Sequence, residues 1–194
     1  MYKNIFKPVI DWLIALMALI ILVPVFLVVS FIIKVDSSGP VFFRQERLGK
    51  NGRIFKIYKF RSMRTEISSK VTETLAESDP RITYVGKIIR KTSIDELPQI
   101  INILKGEMSF IGPRPPLTYY PKKYEEYTEF EKKRFEVKPG ISGLAAVKCR
   151  EIHDWNLNIP IDVEYVNTLS PAIDIRLFMI SLTAFFRTDN IYSR

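Results

Sequence analysis

The chain predicts an α+β fold, mainly helical, on three observations. Residues 12–33 form an apolar run about as long as a bilayer core is thick. Residues 41–63 change to short runs of aromatic and branched side chains on either side of Asn51-Gly52, a hairpin signal. Several later stretches then space Ile, Leu and Val at helical intervals. At 194 residues this amounts to one membrane segment, 1–36, and one globular unit, 37–194, too short for two full domains.

In the N-terminal segment, Lys3 and Lys7 precede the apolar run, and Lys34, Arg44 and Arg47 follow it. The positive-inside rule wants both flanks on the cytoplasmic face. Pro24, near the middle, removes a helical hydrogen bond and bends the axis. A helix that enters one leaflet, breaks at Pro24 and returns meets both conditions, so a re-entrant membrane helix is favoured over a kinked spanning one. Asp11 is affordable near the interface. No A-x-A-like site follows the run, which argues against a removable signal peptide.

The segment that holds the two β runs, VFFRQERLG and RIFKIYKF, carries Arg44, Arg47, Lys50, Arg53, Lys56, Lys59, Arg61 and Arg64. Most of these cations suit a solvated face beside anionic lipid headgroups, at about 1 kcal/mol each; one or two are expected to bind phosphate. Residues 65–78 are polar and aperiodic, the pattern of a surface loop. Ile82, Val85, Ile88 and Ile89 suggest a short helix that brings Arg81, Lys87 and Arg90 close to the next stretch.

That stretch, RKTSIDELPQIINILKGEMSFIGPRP, is the centre of the sequence. Pro98 fits only a first helical turn, so Asp95 reads as the N-cap, with Ser93 a competitor at capping-box spacing to Glu96. Leu97, Ile100, Ile101 and Leu104 then form an apolar face, with Gln99 and Asn102 on another, until Gly106 stops the helix. Adjacent acids at a helix start are explained by capping, worth about 0.5–2 kcal/mol. Alternatively they form a coupled pair in which the helix terminus keeps one carboxylate ionised. Residues 119–135 read as a solvated, charged helix, and 138–150 as loop and strand. Residues 174–186 are apolar but too short to span, fitting either the core or a membrane interface.

The net charge of +8 points to an anionic partner: nucleic acid, a lipid surface or a phosphorylated small molecule. No nucleic-acid-binding module is present, and the membrane run accounts for much of the basicity. One cysteine, Cys149, and one histidine, His153, leave no intrachain disulfide and no ligand set for structural zinc. Any metal would be a hard cation such as Mg²⁺, held by carboxylates and substrate phosphates. P-loop, GxGxxG, GxSxG and HExxH motifs are absent. An acid pair among arginines beside a membrane suits a diphosphate substrate. It is also compatible with a non-catalytic membrane-anchored scaffold or a nucleotide-sugar hydrolase.

Pro24 in the apolar run, IYKFRSMR at 57–64, the stretch from Asp79 to Pro115, KPGISGL at 138–144 and DVEYVNTLSPAIDI at 162–175 together resemble the bacterial monotopic phosphoglycosyl transferases, in particular their small single-domain members. The resemblance implies transfer of a phosphosugar from a UDP-sugar to polyprenol (undecaprenyl) phosphate, with release of UMP, at the cytoplasmic face of the bacterial inner membrane. It makes residues 37–194 the catalytic domain, Asp95 the nucleophile and Glu96 its partner handling the acceptor's proton. Mg²⁺ would sit on Asp95, and Lys59, Arg90, Arg114 and Arg150 on substrate phosphates. It also implies that the helix re-enters at Pro24 and that amphipathic helices, 174–186 among them, rest on the membrane interface. Two departures stand out. Ala146 occupies a position where family members often have glutamine, and Val23-Pro24 replaces a common Ser-Pro. Nothing in the sequence fixes the sugar or the oligomeric state; a homo-oligomer is compatible with it.

Overall fold

A computed structural model describes residues 1–64, 79–149 and 154–186; the predicted surface loop at 65–78 lies outside them. The fold is mostly helical with two small two-stranded sheets. After a short π-helical turn at Tyr2–Phe6, helix α1 runs from Lys7 to Asp36. By length and composition it is apolar enough to cross a membrane. Pro24 lies inside α1, and the helix does not end there. Proline costs one hydrogen bond, and the flanking turns carry the helix past it.

Contact with the rest of the chain extends from one end of α1 to the other. Near its start, Lys7 donates to Asp174 Oδ2 at 2.7 Å, and Asp11 Oδ2 accepts from Ser109 Oγ at 2.6 Å. In its middle, Ala15, Ala18, Leu19 and Leu22 pack with Phe55, Ile57, Ile100 and Ile103. Toward its end, Phe26, Val29 and Ile33 pack with Phe60 and Ile89. Buried Arg61 closes the helix by donating to Ile33 O and Ser37 O at 3.3 and 2.6 Å, a cation on the carbonyl end of the dipole.

Strands β1 (Phe42–Leu48) and β2 (Ile54–Phe60) form the predicted antiparallel hairpin. Asn51 and Gly52 both have positive φ, and Arg53 N bonds Lys50 O at 3.2 Å, the geometry expected of a tight Asn-Gly turn. Helix α2 (Tyr84–Lys91) is capped by Thr83, whose hydroxyl accepts from Gly86 N. Helix α3 (Gln99–Leu104) ends at Gly106, φ 76°, as expected. Its Gln99 and Asn102 are buried rather than solvated. Asn102 accepts from Tyr58 N at 3.0 Å and donates to Lys56 O at 2.8 Å, so the side chain satisfies the edge of β2 as a neighbouring strand would.

Strands β3 (Ser109–Ile111) and β4 (Gly140–Ser142) pair in parallel. Their glycines allow the backbones to touch: a Cβ on Gly140 would stand 2.1 Å from Gly112 N. Gly140→Ala is therefore expected to destabilise the fold by more than the usual ~1 kcal/mol of a point mutation, readable as a lowered melting temperature.

The expected solvated helix over 119–135 is not formed. A 3₁₀ turn (Tyr124–Glu126), the one-turn helix α4 (Glu129–Lys132) and a second 3₁₀ turn (Lys133–Glu136) take its place. Tyr127, Arg134 and Phe135 in this stretch are buried rather than solvated. Helix α5 (Leu144–Lys148) occupies part of the expected loop and strand, followed by α6 (Trp155–Thr168) and α7 (Pro171–Phe186). On α7, Leu177 enters the core while Ile175, Met179 and Leu182 are exposed, an amphipathic arrangement that suits an interface.

Candidate active site

The acid pair does not cap a helix. Helix α2 ends at Lys91 with Thr92 as its C-cap, and Ser93 turns left-handed at φ 55°, ψ 14°, a conformation usually given to Gly or Asn. The chain then makes a 3₁₀ turn at Ile94–Glu96 that carries both acids. Pro98, rather than Asp95, stands as N-cap of α3. The reading of Asp95 as N-cap, ionised by the terminus of the helix that follows, is thus corrected. Asp95 lies in a separate turn that α2 launches.

Three of the predicted site residues sit directly on one apolar floor. Phe60 and Ile89 are buried against Val29 and Ile33 of α1, and Ile94 packs on the same cluster. Phe60 meets Phe26 edge-on at 5.2 Å and stacks on Phe42 at 5.5 Å. Each has a site residue as its immediate sequence neighbour: Lys59 before Phe60, Arg90 after Ile89, Asp95 after Ile94. Helix α1 thereby helps to position the acid and two cations.

Lys59 Nζ donates to Glu96 Oε1 at 2.6 Å, both half-buried. Burial opposes ionisation of Glu96, but the charges of Lys59, Arg114 and Arg47 outweigh it, and its pKa is lowered. Asp95 goes the other way. Burial, opposed by Lys59 and assisted by the neighbouring Glu96 charge, raises it to about 6, with Arg90 also pulling down. The structure therefore gathers Asp95, Glu96, Lys59, Arg90 and Arg114 into one electrostatic unit. Arg150 lies outside the described residues.

Arg47 is a member that sequence reasoning left among the surface cations. It is buried, donates to Pro115 O at 3.1 Å and to Gln45 Oε1 at 2.8 Å. Its spacing in β1 was the available signal, since it alternates with the exposed Arg44 and Glu46 only if its face is covered. Arg114 itself is exposed, on the proline-rich loop after β3.

A divalent cation finds a limited donor set here. Among the described residues no group of three or more His, Cys, Asp or Glu side chains comes together, and Glu96 is engaged by Lys59. Asp95, which makes no ion pair among the described residues, is the carboxylate available. That set fits Mg²⁺, which keeps several waters and is commonly completed by substrate phosphates.

The structure thus places an acid pair among cations, on a floor built partly by the apolar helix α1. Comparison with known proteins gives the family: residues 2–188 match the bacterial sugar transferase family, and the chain belongs to it. It is 44% identical over 158 residues to the galactosyl transferase CpsE of Streptococcus agalactiae serotype III (strain NEM316), covering 75% of this chain and 34% of that protein. To the UDP-glucose:undecaprenyl-phosphate glucose-1-phosphate transferase of Escherichia coli (strain K12) it is 36% identical over 177 residues, covering 89% and 38%. It also matches the exopolysaccharide production protein PSS of Rhizobium leguminosarum bv. phaseoli at 40% over 183 residues, covering 89% and 91%. The chain thus spans little more than a third of the first two relatives and nearly all of the third.

Proposed function

We propose that the protein is a membrane-associated phosphoglycosyl transferase that moves a phosphosugar from a UDP-sugar to polyprenol phosphate at the cytoplasmic face of the bacterial inner membrane. The observation that carries this reading is the half-buried acid pair, ringed by Lys59, Arg90, Arg114 and Arg47, on a floor built partly by α1. The names of relatives that act on undecaprenyl phosphate support it. Both ends of α1 hold the same globular body, which supports a re-entrant rather than a spanning helix.

In this reading Asp95 attacks the sugar-linked phosphorus. The bond to the bridging oxygen breaks, UMP leaves with that oxygen, and an aspartyl phosphosugar forms. A phosphate oxygen of the polyprenol phosphate then attacks the same phosphorus, returning Asp95 as carboxylate and giving the polyprenol diphosphosugar. Arg90 and Arg114 hold phosphate oxygens. Mg²⁺, held by Asp95 and the diphosphate, would supply charge neutralisation. Glu96, kept ionised by Lys59, serves to aim that lysine rather than to handle a proton. A phosphate monoester is mostly doubly ionised at pH 7, its second pKa being about 6, so the acceptor needs little help from a base.

The test is incubation of purified protein with a panel of UDP-sugars, Mg²⁺ and undecaprenyl phosphate. Release of UMP that requires the lipid supports the transferase. Release without lipid indicates a hydrolase, and none at all a scaffold. The pH profile carries a further expectation. Asp95 attacks only when ionised, so kcat/KM is expected to fall as pH drops through about 6. Because Lys59 lowers the Asp95 pKa, Lys59→Met should move that acid limb to higher pH.

A further inference from the structure

The loop that carries Arg114 is bonded at four successive carbonyls. Pro113 O accepts from Gly140 N at 3.0 Å, and Pro116 O from Leu48 N at 3.0 Å. Between them, two buried arginines take the remaining pair: Arg134 Nη2 reaches Arg114 O at 2.9 Å and Arg47 Nη1 reaches Pro115 O at 3.1 Å. Pro113, Pro115 and Pro116 restrict φ. The backbone is held on every side, and only the Arg114 side chain extends outward.

Arg134 is an unusual holder. Its side chain is fully buried, in a cation–π arrangement with Phe135 and Trp155 at 5.3 and 5.1 Å. Its charge is met by Asp162 of α6, which is 1% exposed and accepts from both Nε and Nη2. A buried ion pair is weak evidence for stability, because apolar replacements of similar volume often serve as well. Here the pair adds something an apolar core cannot, a donor aimed at the carbonyl of the residue that carries the exposed guanidinium.

We propose that Arg134 and Asp162 are positioning residues that act on the reaction through Arg114, with Asp162 orienting Arg134 and Arg134 fixing the backbone from which Arg114 reaches the diphosphate. This rests on the reading of Arg114 as a phosphate-binding cation. A fixed backbone lowers the entropy lost when the side chain engages its ligand.

The experiment is a mutant cycle on the full chain in detergent, with UDP as the probe and its dissociation constant as the readout. Arg114→Ala is expected to weaken UDP about tenfold or more. The paired change Arg134→Met with Asp162→Leu, which avoids leaving a lone buried charge, should keep the melting temperature near wild type. It should also weaken UDP several-fold when Arg114 is present and have no further effect in the Arg114→Ala background. Arg134→Lys, which keeps the charge opposite Asp162 but shortens the reach to Arg114 O, is the second probe and should show the same dependence. Equal losses in both backgrounds, or no loss with Arg114 present, overturn the positioning role. A wild-type protein that does not bind UDP overturns the reading of the site itself, and unaltered binding in Arg114→Ala overturns the role of Arg114.

Discussion

Asp95→Asn is expected to abolish lipid-dependent UMP release, with kcat reduced by at least about a thousandfold. Asparagine keeps the shape of the side chain and removes the nucleophile. It also removes a negative charge beside Glu96, so the binding of an anionic nucleotide measured without Mg²⁺ should be unchanged or slightly tighter. Loss of kcat without loss of affinity is the mark of a group needed for chemistry, whereas a residue that only shaped the turn would weaken both. Single-turnover UMP release with the UDP-sugar accepted by the wild type is the measurement. An Asn variant turning over at the wild-type rate would remove Asp95 from the mechanism.

The second large effect is expected at Asp174, which holds the start of α1. Its carboxylate accepts from Tyr2 OH at 2.6 Å, Lys7 Nζ at 2.7 Å and Tyr165 OH at 2.6 Å. Lys7 and Asp174 are both buried. Asp174→Ala leaves Lys7 with Asp11 at 3.7 Å as its remaining ion pair, and breaking a buried pair in this way costs about 3–5 kcal/mol. Thermal unfolding in detergent should show a large fall in melting temperature, with the first turns of α1 becoming open to protease. The paired replacement Lys7→Met with Asp174→Leu should recover most of it. Wild-type melting in Asp174→Ala would mean that the network holds nothing.

What could be read in the sequence was what local chemistry decides. Asn51-Gly52 set the hairpin because few residue pairs adopt two consecutive positive φ values cheaply, and Gly106 ended α3 for the same reason. The acids were visible because they adjoin. The cap was misread because Ser93, carrying no glycine signal, takes the left-handed conformation that separates α2 from the acid turn. Tertiary partners were harder. Arg134 looked like one charge in a solvated helix, since Asp162 lies 28 positions away. Arg47 looked like a headgroup contact, since its neighbour Pro115 is 68 positions away. Lys59, Arg90 and Arg114 came from resemblance, and their common feature, the ring of charge around one acid pair, emerges only when β2, α2 and the proline loop converge.

The attachment of α1 at both ends bears on how the protein is made. Its first turn is secured by Asp174, 167 positions later, and its last by Arg61. The ribosome delivers Asp174 long after the apolar segment has been made, so the anchor near Lys7 cannot close until α7 has been synthesised. The final seat of α1 against the globular body is then a property of the finished chain.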